Sequence, residues 1–452
     1  MLITWLFFLV ETVVCDFCHK MQTYTDNIEA IQIMIILITS LVFILAITKN
    51  VKKKSEYMVL IVGYLLRVGL MFWDYYCRNI FKLPNVGYDA DGYHYKGTIA
   101  MNNYSAMKSD KYAQVLGFVY NRFGIARLIG QYFNILLSIT AIILMLKILE
   151  MLNVNKKAKF IALQLAAFLP NFAIINSALL RETPIIFLLT LSLYFFIKWW
   201  KNAKLVNIVI AFSLSIVAAY FHTGAIAPIL GYAIIISLYD RKNNSFKINT
   251  KTIVAVSVFL IGFSILFSMT SDTVFEKITK YDSAEDIAEH VSEGDGGSGY
   301  EVNFSTGNAT ADMVINTPFR IFYFIFSPVP WNWRGLQDII AFVFSALFFG
   351  MCYILAAFII LDKNSKNKEP VIAFLILAIS TALLFAWGVQ NAGTALRHRE
   401  KFTIQYLVLF ALCADRLGFE KLSDAFSFID KKNKERRKSN AKKKTGLSKK
   451  EV

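Results

Sequence analysis

The feature that most restricts this chain is a succession of apolar segments, most of them about 17–25 residues long and almost free of charge. That is the length an α-helix needs to cross a lipid bilayer. They fall at roughly 1–14, 30–48, 57–74, 128–150, 158–178, 183–200, 204–221, 223–239, 252–270, 336–361, 370–389 and 401–416. Hydrophobic residues make up 56% of the sequence and charged residues only 18%. Inside hydrocarbon a helix satisfies its own backbone polar groups. The expected fold is therefore an all-α integral membrane protein with about 11–12 transmembrane helices and two large extracytoplasmic loops, near 75–127 and 271–335. Residues 1–14 lack a basic leader and contain Glu11, so they read as a short first membrane segment and not as a signal peptide.

The connectors set the orientation. Lys49, Lys52, Lys53 and Lys54 follow the second segment, and Lys156, Lys157 and Lys159 follow the fourth. Lys201 and Lys204 follow the sixth, Arg241, Lys242 and Lys247 the eighth, and Lys363, Lys366 and Lys368 the tenth. A basic tail follows the twelfth. Every even-numbered exit is basic, which places these connectors and the C-terminus in the cytoplasm. The net charge of +16 does not point to nucleic acid, because much of it sits in that tail. Lys431–Val452 holds eleven Lys and Arg against Glu435 and Glu451, a surplus of nine that suits anionic lipid. The chain thus divides into N-terminal membrane segments (1–56), a polytopic catalytic body (57–416) and a cytoplasmic polybasic tail (417–452).

The opposite connectors carry the unusual residues. Gly87–Tyr95 reads G-Y-D-A-D-G-Y-H-Y, with Asp89, Asp91 and His94 in nine residues. Its two glycines and alternating polar residues predict a loop or turn. Asp-x-Asp places two carboxylates where they can share a divalent cation or split into a base and an acid. Tyr95–Phe123 predicts helices lying in the interface. Arg181 and Glu182 lie in the next connector, then His222 in a tight turn. Trp331 and Arg334 end the second large loop, and Arg397 and Arg399 precede the last segment. The acidic, Gly-rich stretch 281–312 is either a mobile lid or a spacer. Arginine on this side goes against the positive-inside tendency, so each needs a partner: a protein carboxylate, lipid phosphate or a bound anion. Its planar fork suits phosphate. His222 reads more simply as a satisfied interfacial histidine, and Trp331 as an aromatic-belt anchor that also offers a face for a sugar. Cys15-x-x-Cys18 has no second pair and reads as two incidental thiols.

Outside the cytosol nucleotide sugars are not available, so an activated donor there is a lipid-linked sugar phosphate or diphosphate. Transfer from it needs a base for an acceptor hydroxyl, which an ionised Asp supplies. It also needs positive charge on the departing phosphate, which arginines supply without a required cofactor. The residues then resemble a family. Tyr88-Asp-Ala-Asp-Gly-Tyr-His-Tyr95 looks like the acidic motif in the first large loop of GT-C glycosyltransferases. Leu169-Pro-Asn with Asn176-Ser-Ala-Leu-Leu-Arg181-Glu182, Ser327-Pro-Val-Pro-Trp331 and Gly393-Thr-Ala-Leu-Arg397-His-Arg399 are similar to bacterial O-antigen and exopolysaccharide polymerases of the Wzy and EpsG type. The likeness covers about 55–416 and rests on short motifs. It implies a bacterial plasma membrane and undecaprenyl-linked repeat units as substrate. It further implies Asp89 or Asp91 as base, Arg181 and Arg397 as diphosphate contacts, and chain-length regulators or flippases as partners. Three alternatives remain open: single-sugar transfer from a polyprenyl phosphate, a lipid-linked oligosaccharide flippase, and a non-catalytic scaffold or receptor. Transport sites sit near the midplane, whereas here Arg67 is the main charge within a helix.

Overall fold

The apolar runs do become helices. A computed structural model describes residues 1–20, 28–50, 53–107, 110–125, 127–247, 309–362, 365–389 and 391–418, together with Gly299, Phe304 and Thr306. The first half contains α1 (Leu2–Lys20), α2 (Ile28–Asn50), α3 (Lys54–Tyr76), α4 (Gly87–Asn102), α5 (Lys111–Phe123), α6 (Arg127–Met151), α7 (Lys156–Phe168) and α8 (Pro170–Ser177). The second half contains α9 (Glu182–Asn202), α10 (Leu205–Phe221), α11 (Ala227–Leu238), α12 (Ala309–Phe326), α13 (Leu336–Leu361), α14 (Glu369–Trp387), α15 (Ala392–Glu400) and α16 (403–418). A two-stranded antiparallel ribbon pairs Tyr239 with Phe246 and Asp240 with Ser245.

Among the described residues, six helices are long and apolar enough to cross a membrane: α2, α3, α6, α9, α13 and α14. A seventh span arises if α7 and α8 are joined. This is fewer than the twelve expected. The segments at 204–221 and 223–239 form apolar helices that fall short of spanning length. The expected helix at 252–270, most of the stretch 281–312 and the tail from 419 lie outside the described residues. The segment at 1–14 belongs to the longer helix α1, whose Leu2, Leu6, Val10 and Val13 are exposed. Its Glu11 is tolerated there because it accepts a hydrogen bond from Thr39 of α2.

The run expected as one helix at 158–178 is broken, with α7 and α8 bent by 52°. Pro170 explains the break. Its nitrogen carries no hydrogen, so the carbonyl of Ala166 four residues earlier loses its donor. Arg67, in the middle of α3 and fully buried, supplies the replacement. Its guanidinium donates to the carbonyls of Ala166, Ala167 and Gly63, each at 2.9 Å, and to Ser138 Oγ at 3.2 Å. A Cβ on Gly63 would lie 2.9 Å from Ala167 Cβ, so glycine is what lets α3 approach the break. This buried mid-helix charge is thus a plug for freed backbone carbonyls.

The expected loop at Gly87–Tyr95 is instead the start of helix α4. Ala90, Tyr93 and Ala100 are buried on one face at helical spacing, and they pack on Tyr112, Leu116 and Tyr120 of α5. A Cβ on Gly117 would lie 2.7 Å from the backbone of Ala100, so this glycine serves close helix packing. Asp110 caps α5 by accepting from Ala113 N at 3.1 Å, and it also pairs with Lys96 of α4 at 3.0 Å. Together with Ile174–Leu180 the α4–α5 pair forms a small hydrophobic cluster separate from the main core.

The basic connectors meet one another away from this layer. Lys159 pairs with Glu150 at 2.8 Å and Glu56 at 3.7 Å. Asn155 N donates to Asp415 at 3.1 Å, and Arg416 donates to the Asn367 carbonyl at 3.0 Å. These contacts tie the α2–α3, α6–α7 and α13–α14 connectors, three of the six basic ones, to the end of α16.

Candidate functional site

Two side chains of Asn134 and Arg181 show how the site is delivered. After Ser177 the chain leaves the helix, and Ala178 is extended. Buried carbonyls in such a segment need donors, and Asn134 Nδ2 of α6 reaches those of Ala178 at 2.8 Å and Leu180 at 3.0 Å. The next residue is Arg181, at the entrance of α9. Its guanidinium lies 5.7 Å from the ring centroid of Tyr93 and donates to the Phe221 carbonyl at 3.4 Å. Glu182 occupies the first turn of α9, where a carboxylate suits the helix dipole.

The second contribution comes from α15. Asn391 caps it by accepting from Thr394 N at 2.7 Å. Successive side chains then fan out at 100° each, so Arg397 and Arg399 point to different sides. Arg397 pairs with Asp89 of α4. Arg399 is buried and donates to the carbonyls of Phe324 and Ser327, where α12 ends, which makes it a clamp on backbone. Lys401, also buried, stands 3.8 Å from Glu182. His398 meets His222 edge to face at 4.6 Å, and His222 stacks on Phe385 while its Nδ1 accepts from Gly224 N at 3.2 Å. Burial, then the charge of Lys401, then His222, Arg397 and Arg181 hold His398 well below the ordinary imidazole range.

Arg181, Arg397 and Lys401 therefore gather with Asp89 and Glu182, three cations against two carboxylates. Several polar atoms of this group are buried without a hydrogen-bond partner among the described residues: Arg181 Nε, Glu182 Oε2, His398 Nδ1 and Lys401 Nζ. Buried polar groups are nearly always satisfied, and Asp74 Oδ1, Arg127 Nε and Gln131 Oε1 nearby share this condition. Beside the Arg181 group an apolar groove of about 440 Å³ runs between α1, α5, α6 and α9, lined by Phe8, Val119, Phe133, Leu137, Phe187 and Phe221. It reaches the cluster through Phe221 and through Tyr112, whose ring meets Tyr93 at 5.0 Å.

Asp91 and His94 belong elsewhere. Asp91 accepts from Arg78 and from Arg127, the latter at 2.9 Å. The same two arginines pair with Asp74, which is 1% exposed and also receives Gln131 Nε2 at 2.8 Å. Burial pushes the Asp91 carboxyl up, but hydrogen bonds and charge from Arg78 and then Arg127 outweigh it, and the net shift is downward. His94 Nδ1 lies 2.8 Å from the Tyr120 hydroxyl, and burial, followed by the charge of Arg127, lowers its pKa against a smaller opposing pull from Asp91. Asp89 and Asp91 thus serve different arginines and do not converge on a shared point. Among the described residues no group of three or more His, Cys, Asp and Glu side chains is placed to hold a metal ion. Arg334 pairs with Asp338 at 3.4 Å, and Trp331 stands 66% exposed on the turn Pro330–Asn332.

Sequence reasoning passed over Tyr93, His398 and Lys401. Tyr93 had a signal in its helical spacing from Ala90. Lys401 closes the charged run Arg397-His-Arg-Glu-Lys401, but nothing local links it to Glu182. Compared with protein-family models, curated proteins and solved structures, the chain matches none.

Proposed function

We propose that this membrane protein is an extracytoplasmic glycosyltransferase that uses a polyprenyl-diphosphate-linked sugar and polymerises polysaccharide repeat units. The observation that carries the reading is the meeting of Arg181, Arg397 and Lys401 beside Asp89, from three segments far apart in sequence. Arg181 and Arg397 hold the diphosphate, because a guanidinium fork binds phosphate oxygens in pairs and keeps its charge. As the bond to the anomeric carbon breaks, they stabilise the negative charge that collects on the leaving diphosphate. The apolar groove beside Phe221 suits the prenyl chain, whose burial from lipid keeps the donor in register with the cations.

Asp89 is the better base of the two aspartates. Asp91 is held by two arginines in a network that includes buried Asp74, and its lowered pKa makes it a weak proton acceptor. Asp89 has one arginine, Arg397, as its ion-pair partner. Orientation with this face outside the cytosol rests on the basic connectors.

The test is polymer formation in a bacterial host lacking its own polymerase, comparing wild type with Asp89→Asn, Asp91→Asn, Arg181→Ala and Arg397→Ala at equal abundance. Wild type should convert lipid-linked single repeats into long chains, and Asp89→Asn, Arg181→Ala and Arg397→Ala should leave those repeats stranded outside. Repeats stranded on the cytoplasmic leaflet would make the protein a flippase. No change in any lipid-linked pool would remove glycan chemistry altogether.

A further inference from the structure

We propose that Arg397 is a shared counter-ion, holding Asp89 in an ion pair until the phosphates of an anionic donor take its place, so that donor binding itself releases the base. This rests on the reading above, in which Asp89 accepts the proton and Arg397 contacts the donor.

Exposure makes the exchange physically accessible. Asp89 is 49% and Arg397 23% exposed, so a ligand reaches both. A solvent-facing pair of this kind is held weakly and yields to a better anion. The neighbouring pair Arg127–Asp74 is 8% and 1% exposed and has no such freedom. The two partners also belong to separate elements. Asp89 sits in the first turn of α4, which packs with α5 in its own hydrophobic cluster, whereas Arg397 belongs to α15. The pair bridges 308 residues of sequence.

Charge balance gives the direction of the exchange. With Lys401 protonated beside Glu182 and Asp89 in place, Arg181, Arg397 and Lys401 face two carboxylates and the group holds one net positive charge. Once Asp89 withdraws, the group holds two. A sugar diphosphate diester carries two negative charges, and a sugar monophosphate diester carries one. The diphosphate therefore compensates the site fully only when Asp89 leaves Arg397. Arg181 Nε, which lacks a hydrogen-bond partner among the described residues, is a donor for the same ligand. In the transfer that follows, the acceptor oxygen bonds to the anomeric carbon and its proton passes to Asp89. The bond from that carbon to the diphosphate oxygen breaks, with its electron pair leaving on the diphosphate.

The experiment uses the full chain in lipid nanodiscs and farnesyl diphosphate as the probe, with affinity measured for wild type, Asp89→Asn, Asp89→Glu and Arg397→Gln. Asp89→Asn, isosteric and half-exposed, should bind about three- to fivefold more tightly than wild type, the scale of one exposed ion pair. Asp89→Glu, which keeps the competing charge, should bind no more tightly than wild type. Arg397→Gln should bind at least about tenfold more weakly, as expected when one charged phosphate contact is lost. If wild type binds the probe and Asp89→Asn binds it equally or less well, the exchange is overturned while the anion site stands. If wild type and Asp89→Asn both fail to bind, the anion site itself falls, and the exchange with it.

Discussion

Two arginine–carboxylate groups lie side by side under α4, and they are built differently. Asp74, Arg78, Asp91 and Arg127 form a balanced set, two cations and two anions, with Gln131 supplying a further hydrogen bond. The set built on Arg181, Arg397, Lys401, Asp89 and Glu182 brings three basic side chains to two carboxylates. One group fastens α3, α4 and α6 together. In the proposed reading the other receives the phosphates of the donor. On that reading chemically similar residues within a few turns of each other divide into a fastening and a receptor, and the count of basic side chains tells them apart.

Breaking the balanced group should have the largest effect. Asp74→Asn or Arg127→Met leaves the buried network with one charge uncompensated, which costs up to about 3–5 kcal/mol. The expected result is a marked fall in thermal midpoint and in recovered folded protein, read by intrinsic fluorescence and size exclusion. Arg181→Gln or Arg397→Gln should show the reverse pattern. Stability should move by less than about 1 kcal/mol, because these contacts are partly exposed. Transfer should fall about 10²–10³-fold, the usual loss when one charge-stabilising donor is removed. An Arg397→Gln protein that unfolds easily yet turns over normally would erase the distinction.

Acid should separate the groups further. The Asp91 carboxyl is held below its ordinary value, so its contribution to stability is complete above about pH 4 and lost as pH falls through the folded-state value. Thermal midpoints between about pH 6 and pH 3 should therefore drop more for wild type than for Asp91→Asn. The smallest effect belongs to His94. Its lowered pKa means that the folded protein resists protonating it, so its share of stability is present above about pH 6.5 and declines below that. His94→Gln should flatten this shallow decline and cost about 1 kcal/mol through the lost hydrogen bond with Tyr120.

Much of the architecture was legible because lipid imposes a simple code. Apolar runs gave helices α2, α3, α6, α9, α13 and α14, and the Lys clusters gave connectors that do meet at one end. The break at Pro170 was written in the sequence, but a proline in a long apolar run is also tolerated within one helix. What decides here is Arg67, 100 residues from the carbonyl of Ala167 that it caps. The Gly87–Tyr95 stretch misled for a related reason. Its glycines and aspartates have low helix propensity, while the face that makes it helical, Ala90, Tyr93 and Ala100, is stabilised only once α5 is present. Of the site, Asp89, Arg181 and Arg397 were visible as charges that membrane topology does not explain. Lys401 and Tyr93 were not, since their meaning lies in contacts with Glu182 and Arg181 that no local pattern encodes.

The plugged break between α7 and α8 has one more consequence. Arg67 ties α3 to α7 by hydrogen bonds to main-chain oxygens, and α8 turns by 52° directly above that tie before handing the chain to Arg181. A helix in a bilayer of mismatched thickness tilts, kinks or deforms the lipid around it. This one is moored. The position of Arg181 relative to α3 is set by the protein itself, so bilayers of different thickness should tilt the body as a unit before they shift Arg181 within it.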